Sequence, residues 1–178
     1  MNIRKAANVD LDAIMTIYHS AQTFMAQHGN PSQWGTAYPM RELVEEDIAQ
    51  GRSWVCAGNG RVLAVFVLQM GEEPTYAQIR GGWKNNRPYA TLHRVASSGE
   101  RRGMTDAIVA WASARAGELR ADTHEKNLSM QRALERSGFE RCGLIRVTDG
   151  TERIAYQRAA EENVPCVSSS DQKEEFHR

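Results

Sequence analysis

The sequence lacks a long apolar run and an excess of positive charge. Its longest strongly apolar stretch, Val62 to Leu68, is far shorter than the ~20 residues that a membrane-spanning helix needs. The 22 Lys and Arg residues balance 22 Asp and Glu residues, so the chain has no broad basic surface with which to displace counterions from phosphates. These two absences argue against a membrane span and against nucleic acid as the main partner.

Two further absences concern targeting and cysteine pairing. The segment Met1 to Asp12 lacks the basic-then-apolar order of a secretion signal, so we expect a cytoplasmic location. The three cysteines, Cys56, Cys142 and Cys166, include no Cys-x-x-Cys pair, which fits a reducing compartment and argues against a metal site. We interpret Cys56 and Cys142 as small core residues rather than reactive thiols, because free cysteine is usually buried.

What is present indicates one α/β domain. With 178 residues, of which 41% are hydrophobic, a single core can bury about 70% of the surface that the unfolded chain exposes. Alternating and helical patterns predict the order β-α-α-β-β-β-α-β-α-β-β for a domain over residues 1–158. Residues 159–178 combine a serine run with many charges and few large apolar groups, so we expect a flexible tail there.

Local signals predict several element ends. Apolar residues recur at helical spacing over residues 11–25 and predict a first helix, with Asn8 as its N-cap. The dipeptides Asn59-Gly60 and Asp149-Gly150 each predict a type I′ hairpin turn, because these residue types tolerate positive φ. The segment between residues 71 and 88 is predicted to be a loop.

The junction Ser97 to Gly103 is rich in both glycine and arginine, and it leads from a predicted strand into a predicted helix. A helix N-terminus offers unpaired N–H groups and a partial positive charge, to which Arg101 and Arg102 add their own charges. This combination suits a pyrophosphate. Against it, Glu100 and Asp106 would repel an anion, and the spacing of dinucleotide and P-loop motifs is missing. A solvated loop is therefore the alternative interpretation.

This segment resembles the pyrophosphate loop of the GNAT superfamily of acetyl-CoA-dependent N-acetyltransferases. Residues 100–105, Glu-Arg-Arg-Gly-Met-Thr, stand in place of the family pattern Gln/Arg-x-x-Gly-x-Gly/Ala, with Gly103 as the strict match. Downstream, residues 120–127 and 137–143 resemble the family's fifth strand, its Asn-led helix and the Gly-Phe entry to the next strand. The resemblance covers Met1 to about Arg158. It implies a mixed α/β (α+β) fold with a mostly antiparallel sheet flanked by helices.

The resemblance also implies how acetyl-CoA is held as a co-substrate. Backbone groups of Val95 and Ser97 would pair with the pantetheine arm as though it were an added strand, and Asn127 would hydrogen-bond to it. A simple N-cap is the alternative interpretation of Asn127. Five residues around the helix start would contact the diphosphate: Arg101, Arg102, Gly103, Met104 and Thr105.

Acetyl transfer to an amine calls for a base, because an alkylammonium with a pKa near ~10.4 carries few free lone pairs at neutral pH. His93 lies on the face of its predicted strand that points toward the expected thioester, and histidine suits this work. A structural histidine is the alternative. Asp122 and His124 are alternative bases, or a base with its orienter, although Asp122 could instead form an ion pair with Arg94 or Arg120.

The expected acceptor is a primary amine of a small molecule or a peptide. Trp34, Tyr38 and Trp83 lie in irregular segments that, by the resemblance, would wall the acceptor pocket. Aromatic rings can hold a cationic amine there, although core packing is the alternative for each of them. A homodimer is an assembly that proteins similar to this one often form.

Three residues depart from the family pattern. Glu100 and Thr105 replace expected residues of the pyrophosphate loop, and Leu134 stands where many relatives have a tyrosine that returns a proton to the departing thiolate. Tyr156 or water could supply that proton instead. The alternative function is therefore an acetyl-CoA-binding or protein-interaction module of the same fold that lacks turnover.

Overall fold

The computed structural model describes residues 1–160. The tail predicted over residues 159–178 therefore lies outside the described residues, except for its first two positions. The elements are β1 Asn2–Lys5, α1 Leu11–Gln27, α2 Arg41–Ala49, β2 Ser53–Gly58, β3 Arg61–Met70, β4 Ile79–Gly81, β5 Tyr89–Ser97, α3 Met104–Ala116, β6 Glu118–Thr123, α4 Leu128–Arg136, β7 Glu140–Arg146 and β8 Glu152–Arg158.

The eight strands form one sheet in the order β1-β2-β3-β5-β6-β8-β7-β4. Among the strands of residues 1–160, β5 and β6 are the one parallel pair, and every other neighbouring pair is antiparallel. A parallel pair needs a crossover connection, which α3 supplies here. The predicted mixed, mostly antiparallel sheet flanked by helices is confirmed.

Alternate residues of the central strands are buried on opposite faces of the sheet. One face packs Phe66, Leu92 and Leu119 with residues of α3 and α4. The other face packs Val55 and Val65 with residues of α1 and α2. This division follows from the period of two in a strand, and burial on both faces prevents the strands from slipping in register. The packing therefore fixes the position of β5 relative to β6.

The two predicted hairpin turns have different outcomes. Asn59 and Gly60 both have positive φ, at 52° and 74°, so the turn between β2 and β3 is confirmed. The prediction of a type I′ turn at Asp149-Gly150 is wrong, because Asp149 is not among the residues with positive φ. Its carboxylate instead accepts the Thr151 N–H at 2.8 Å and shapes a longer loop between β7 and β8.

The start of the first helix also differs from the prediction. Asn8 lies inside a short 3₁₀ turn rather than at an N-cap, and α1 begins three residues later. Asp10 provides the local contacts: its carboxylate accepts the Ala7 N–H at 2.9 Å and binds Arg4 at 2.6 Å. An ion pair to β1, six residues earlier in the chain, therefore holds Asp10 at the point where the helix begins.

The strand β4 lies within the predicted loop between residues 71 and 88. It pairs with the outer edge of β7, with Gly81 opposite Gly143. A Cβ on Gly81 would collide with the carbonyl oxygen of Cys142, so only glycine permits this close approach. A three-residue strand whose partner lies some sixty residues away leaves no local pattern, and the sequence therefore could not predict it.

Two other features concern cysteine burial and helix length. Cys56 is buried, as predicted, whereas Cys142 is only half-buried, so the expectation of a core cysteine holds for the first alone. None of the helices within residues 1–160 is long and apolar enough to cross a bilayer.

Candidate active site

The centre of the sheet opens where β5 and β6 part. Their parallel pairing runs only from Tyr89 opposite Glu118 to Leu92 opposite Ala121. Just beyond it β5 carries a bulge at Arg94, which has a positive φ of 49°. Three residue steps of β5 there face two steps of β3. A bulge bends its strand and redirects side chains, so the two strands separate at this point and leave a cleft.

The bulge also decides which backbone groups face the cleft. Ser98 donates its N–H to the Leu63 carbonyl on β3 at 2.9 Å. Because backbone groups alternate in direction along a strand, the N–H and C=O groups of Val95 and Ser97 turn toward β6. No described strand pairs with them on that side. This arrangement fits the prediction that the two residues hold an added strand-like ligand.

A cavity of about 950 Å³ fills the cleft and continues onto the face of the sheet beside α1 and α2. Its wall contains nine of the residues predicted to bind or react: Trp34, Tyr38, His93, Val95, Ser97, Met104, Thr105, Asp122 and Asn127. Five others do not line it: Trp83, Arg101, Arg102, Gly103 and His124. The structure thus brings together most of the predicted site.

The start of α3 lies at one end of this cavity. Gly103 occupies the N-cap position with a φ of 75°, and no side chain caps the first turn. Arg101 and Arg102 are exposed beside it and have no ion pair within residues 1–160. Guanidinium groups and uncapped N–H groups together suit an anion.

The two carboxylates that argued against an anion here are both paired. Glu100 binds Arg61 at 3.1 Å. Asp106 accepts a hydrogen bond from the Ser137 hydroxyl at 2.8 Å and forms an ion pair with Arg136, and these contacts lower the pKa of Asp106. Each of these negative charges therefore has an arginine partner, which weakens the argument against an anion at the helix start.

Asn127 shows the geometry of an N-cap and a second contact. Its Oδ1 accepts the Met130 N–H at 3.2 Å, which is the capping bond of α4. Its Nδ2 donates to Oε1 of Gln33 at 2.9 Å, and that oxygen also accepts from Asn30 at 2.8 Å. The loop between α1 and α2 is therefore tied to the start of α4 across the cavity. The structure thus shows the N-cap geometry, and a contact with the pantetheine arm would require Nδ2 to exchange its bond to Gln33 or its weak contact with Sδ of Met25 at 3.9 Å.

His93 is paired with a carboxylate that the sequence analysis missed. Its Nε2 lies 3.2 Å from Oε2 of Glu73, which follows β3. Glu73 also accepts the N–H and the hydroxyl of Thr75 at 3.2 and 3.0 Å. The bond from His93 is the main cause that lowers the pKa of Glu73 to about 2, against the opposing effect of burial. Twenty positions separate the pair, so no local motif indicates it.

Asp122 faces the same cavity with a different partner. Its Oδ1 accepts the Tyr76 hydroxyl at 2.7 Å, and burial raises the pKa of Asp122. Burial also raises the pKa of Tyr76 well above its usual value, which keeps that hydroxyl protonated as a donor. Neither arginine considered as a partner of Asp122 reaches it: Arg94 binds Asp47, and Arg120 donates to the Asn85 carbonyl. Those two ion-pair interpretations are wrong.

His124 follows the end of β6 at Thr123 and, unlike Asp122, does not line the cavity. Its Nδ1 accepts the Lys126 N–H at 3.1 Å, and its carbonyl oxygen accepts the Asn127 N–H at 2.9 Å. Burial is the first cause that lowers the pKa of His124. The residue therefore shapes the turn before α4, and the structure gives no geometric support to a role as base.

Of the three aromatic residues predicted for the acceptor pocket, two line the cavity and one does not. Trp34 and Tyr38 line the cavity, and the Tyr38 hydroxyl accepts from Arg94 at 2.9 Å. Trp83 instead donates its Nε1–H to the Tyr76 carbonyl at 3.1 Å and lies 4.0 Å from the guanidinium of Arg120. Core packing is thus what the structure shows for Trp83.

The structure also places Leu134, which replaces the family's proton-donating tyrosine, and Tyr156, which was considered as a substitute donor. Leu134 lines the cavity, whereas Tyr156 does not. The Tyr156 hydroxyl accepts from Arg141 at 3.1 Å, and the ring is fully buried. Among residues 1–160, no three His, Cys, Asp or Glu side chains are grouped as metal ligands would be.

Solved structures similar to this chain agree on the fold. An acetyltransferase of the GNAT family from Streptococcus agalactiae 2603 shares 32% identity, with a TM-score of 0.82 over 90% of this chain and 96% of that one. A GNAT-family acetyltransferase from Listeria monocytogenes 4b F2365 shares 17% identity, with a TM-score of 0.65 over 88% and 93%. A GNAT-like decarboxylase in complex with isobutyryl-CoA shares 12% identity, with a TM-score of 0.62 over 89% and 99%. Neither the protein-family models nor the curated proteins include a match.

Proposed function

The chain belongs to the GNAT family of acetyltransferases, and on that premise we propose that it transfers an acetyl group from acetyl-CoA to a primary amine, with His93 as general base. It is an acyltransferase, and acyl transfer from a CoA thioester follows from the family. The alternative of a binding module without turnover is therefore set aside. The choice of acetyl as the acyl group and of an amine as the acceptor is the proposal.

The residues of the cleft fit a CoA thioester. The unpaired edge of β5 at Val95 and Ser97 would pair with the pantetheine arm, and the Asn127 amide would add a hydrogen bond in exchange for its bond to Gln33. Arg101, Arg102 and the uncapped first turn of α3 would hold the diphosphate. Acetyl-CoA, when bound, supplies an activated carbonyl from which a thiol departs as the new amide bond forms.

The acceptor amine must lose a proton before or during its attack, because it is almost fully protonated at neutral pH. A neutral His93 that donates Nε2–H to Glu73 keeps the lone pair on Nδ1, which can take this proton directly or through a water. Glu73 stays ionised near neutrality and stabilises the imidazolium that forms. The His93–Glu73 pair in the wall of the cavity is the observation that carries the proposal.

Asp122 is the second candidate for the base. Burial raises the pKa of its carboxyl group, which makes its ionised form a stronger base than an exposed aspartate. The bond from Tyr76 occupies one of its two oxygens. Departure of the thiol needs no dedicated acid, because a free thiol has a pKa of only about 8.5. A cytoplasmic location and a homodimer remain predictions.

A thiol-release assay with acetyl-CoA and a panel of primary amines tests the function. We expect His93→Ala to lower kcat roughly 100-fold or more and to remove the pH dependence near neutrality that belongs to this base. The exposed His19, which does not line the cavity, provides the matched control His19→Ala. A wild-type pH profile in His93→Ala would transfer the role to Asp122. Acetyl-CoA binding without thiol release from any acceptor would refute the proposed reaction.

A further inference from the structure

Two arginines line the cavity beside the proposed base. Arg94 occupies the bulge of β5, directly after His93, and Arg52 lies in the turn before β2. Both bind the same carboxylate: Asp47 accepts from Nε of Arg52 at 2.5 Å and from Nη2 of Arg94 at 2.6 Å. The Asp47 side chain is only 2% exposed, so it lies behind the two guanidinium groups rather than in the cavity.

This cluster carries more positive charge than its contacts neutralise. Two guanidinium groups share the single negative charge of Asp47, and Tyr38 contributes only a hydroxyl. The Nη groups of Arg52 donate to no other residue within 1–160, and Nε of Arg94 is buried without a hydrogen-bond partner. An uncompensated charge at a partly buried wall attracts an anion, and a guanidinium fork matches a carboxylate.

The other charged residues of the cavity wall have their own partners. Glu73 is bonded to His93, and Asp122 is bonded to Tyr76. The third arginine of the wall, Arg153, donates to the Glu152 carbonyl and lies 3.8 Å from Asp149. The unbalanced positive charge is therefore specific to the wall formed by Arg52 and Arg94.

The positions of the two charged regions restrict the ligand further. His93 and Arg94 are consecutive, so their Cα atoms lie about 3.8 Å apart, and yet both side chains line the same cavity. The bulge makes this possible, because residues in a regular strand alternate between faces. A proton-accepting group and an anion-binding group thus lie side by side.

We propose that the acceptor is an amino acid, whose amine faces His93 while its carboxylate is bound by Arg52 and Arg94. This inference rests on the proposed acetyl transfer and names its substrate class. A peptide N-terminus would suit the same site poorly, because an amide replaces the carboxylate next to its amine. An amine without an acidic group would leave the positive charge that Asp47 does not neutralise without a second anion.

Matched acceptor pairs test the inference. Each amino acid is assayed against the amine that remains when its carboxylate is removed, for example phenylalanine against phenethylamine, by thiol release at saturating acetyl-CoA. We expect kcat/KM to be at least tenfold higher for the best amino acid than for its matched amine. Arg52→Met should reduce this acid-to-amine ratio at least tenfold, and Arg52→Lys should reduce it less because the charge remains.

The control is Arg80→Met, which removes an exposed arginine that does not line the cavity and should leave the ratio unchanged. The acid-to-amine ratio is compared instead of the rate itself, because loss of the Asp47 contact in Arg52→Met can lower overall stability without changing selectivity. If that variant does not fold, the wild-type ratio and Arg52→Lys still decide. Equal rates for acids and amines, or a preference for the amines, would overturn the carboxylate subsite and leave the acetyl transfer standing.

A binding measurement distinguishes failure of the carboxylate subsite from failure of the proposed acetyl transfer. Calorimetric titration of amino acids into the CoA-loaded protein reports on the subsite without turnover. Binding that Arg52→Met weakens tenfold supports the subsite even if no acceptor releases thiol, in which case the proposed reaction alone has failed. Absence of amino-acid binding overturns the subsite.

Discussion

The cavity has two sides whose interacting groups differ in kind. On the side proposed for the coenzyme, which comprises the β5 edge from Val95 and the start of α3, the interacting groups are mostly backbone N–H and C=O groups, with Arg101 and Arg102 beside the helix start but outside the cavity wall. On the acceptor side, formed by Arg52, Glu73, His93, Arg94 and Asp122, they are side chains that are already bonded to one another or to Asp47 and Tyr76.

The difference bears on how each side tolerates change. Backbone groups are supplied by any residue, so the coenzyme side can depart from the family pattern at Glu100 and Thr105 and keep its geometry. A bonded side-chain pair loses both its orientation and its charge balance when one member is replaced. We therefore expect single substitutions to have larger effects on the acceptor side.

The largest of these expected effects is the loss of stability when Glu73 is replaced. Because its folded pKa of about 2 lies below the usual 4.5, its stabilising contribution is present above pH 4.5 and is lost as the pH falls toward 2. Glu73→Gln should remove about 2 kcal/mol of stability at pH 5 and little at pH 2, after a discount for partial exposure. Urea unfolding between pH 5 and pH 2 measures this. Parallel curves for the two proteins would show that the His93–Glu73 pair has no ionic character.

A smaller effect is expected on the coenzyme side. Arg102→Glu should raise the acetyl-CoA dissociation constant about tenfold, equivalent to about 1.4 kcal/mol, because it reverses one of two charges beside the α3 N-terminus. Calorimetry measures the change. The exposed Arg132, which lies within α4 rather than beside the α3 N-terminus, offers the control Arg132→Glu. An unchanged dissociation constant would remove Arg102 from the diphosphate site.

The smallest expected effect separates the two roles of Asn127. Asn127→Ala removes the cap of α4 and should cost about 1 kcal/mol of stability, whereas Asn127→Ser keeps a capping oxygen and should cost less. Both variants lack the amide Nδ2, so both should weaken acetyl-CoA binding several-fold if that group binds the pantetheine arm. Thermal unfolding and calorimetry on the same samples decide. Full affinity in Asn127→Ser would reduce the residue to a cap.

Sequence reasoning succeeded where a feature is local. Gly103 and the Asn59-Gly60 pair mark a helix start and a turn, and the structure has positive φ at each of them. The prediction missed β4, whose partner strand lies some sixty residues away. It also missed two short-range side-chain contacts: Asp10 binds Arg4 at the start of α1, and Asp149 accepts the Thr151 N–H in a turn other than the one its dipeptide favours.

The candidate site divides in the same way. The residues proposed to bind the coenzyme lie, apart from Asn127, between Val95 and Thr105, so a motif could indicate them. Glu73 lies twenty positions from its partner His93 in the sequence, and Asp47 lies forty-seven positions from its partner Arg94. No local spacing predicts such pairs.

By itself, the sequence determined the class of fold and the strand-to-helix junction that a CoA thioester needs, because periodic burial and glycine-dependent turns are written in neighbouring residues. Tertiary structure alone decided which ionisable groups meet. The bulge at Arg94 places two consecutive residues in one cavity, and packing of the loop after β3 brings Glu73 to His93. Such encounters depend on the register of the whole sheet, which no short segment specifies.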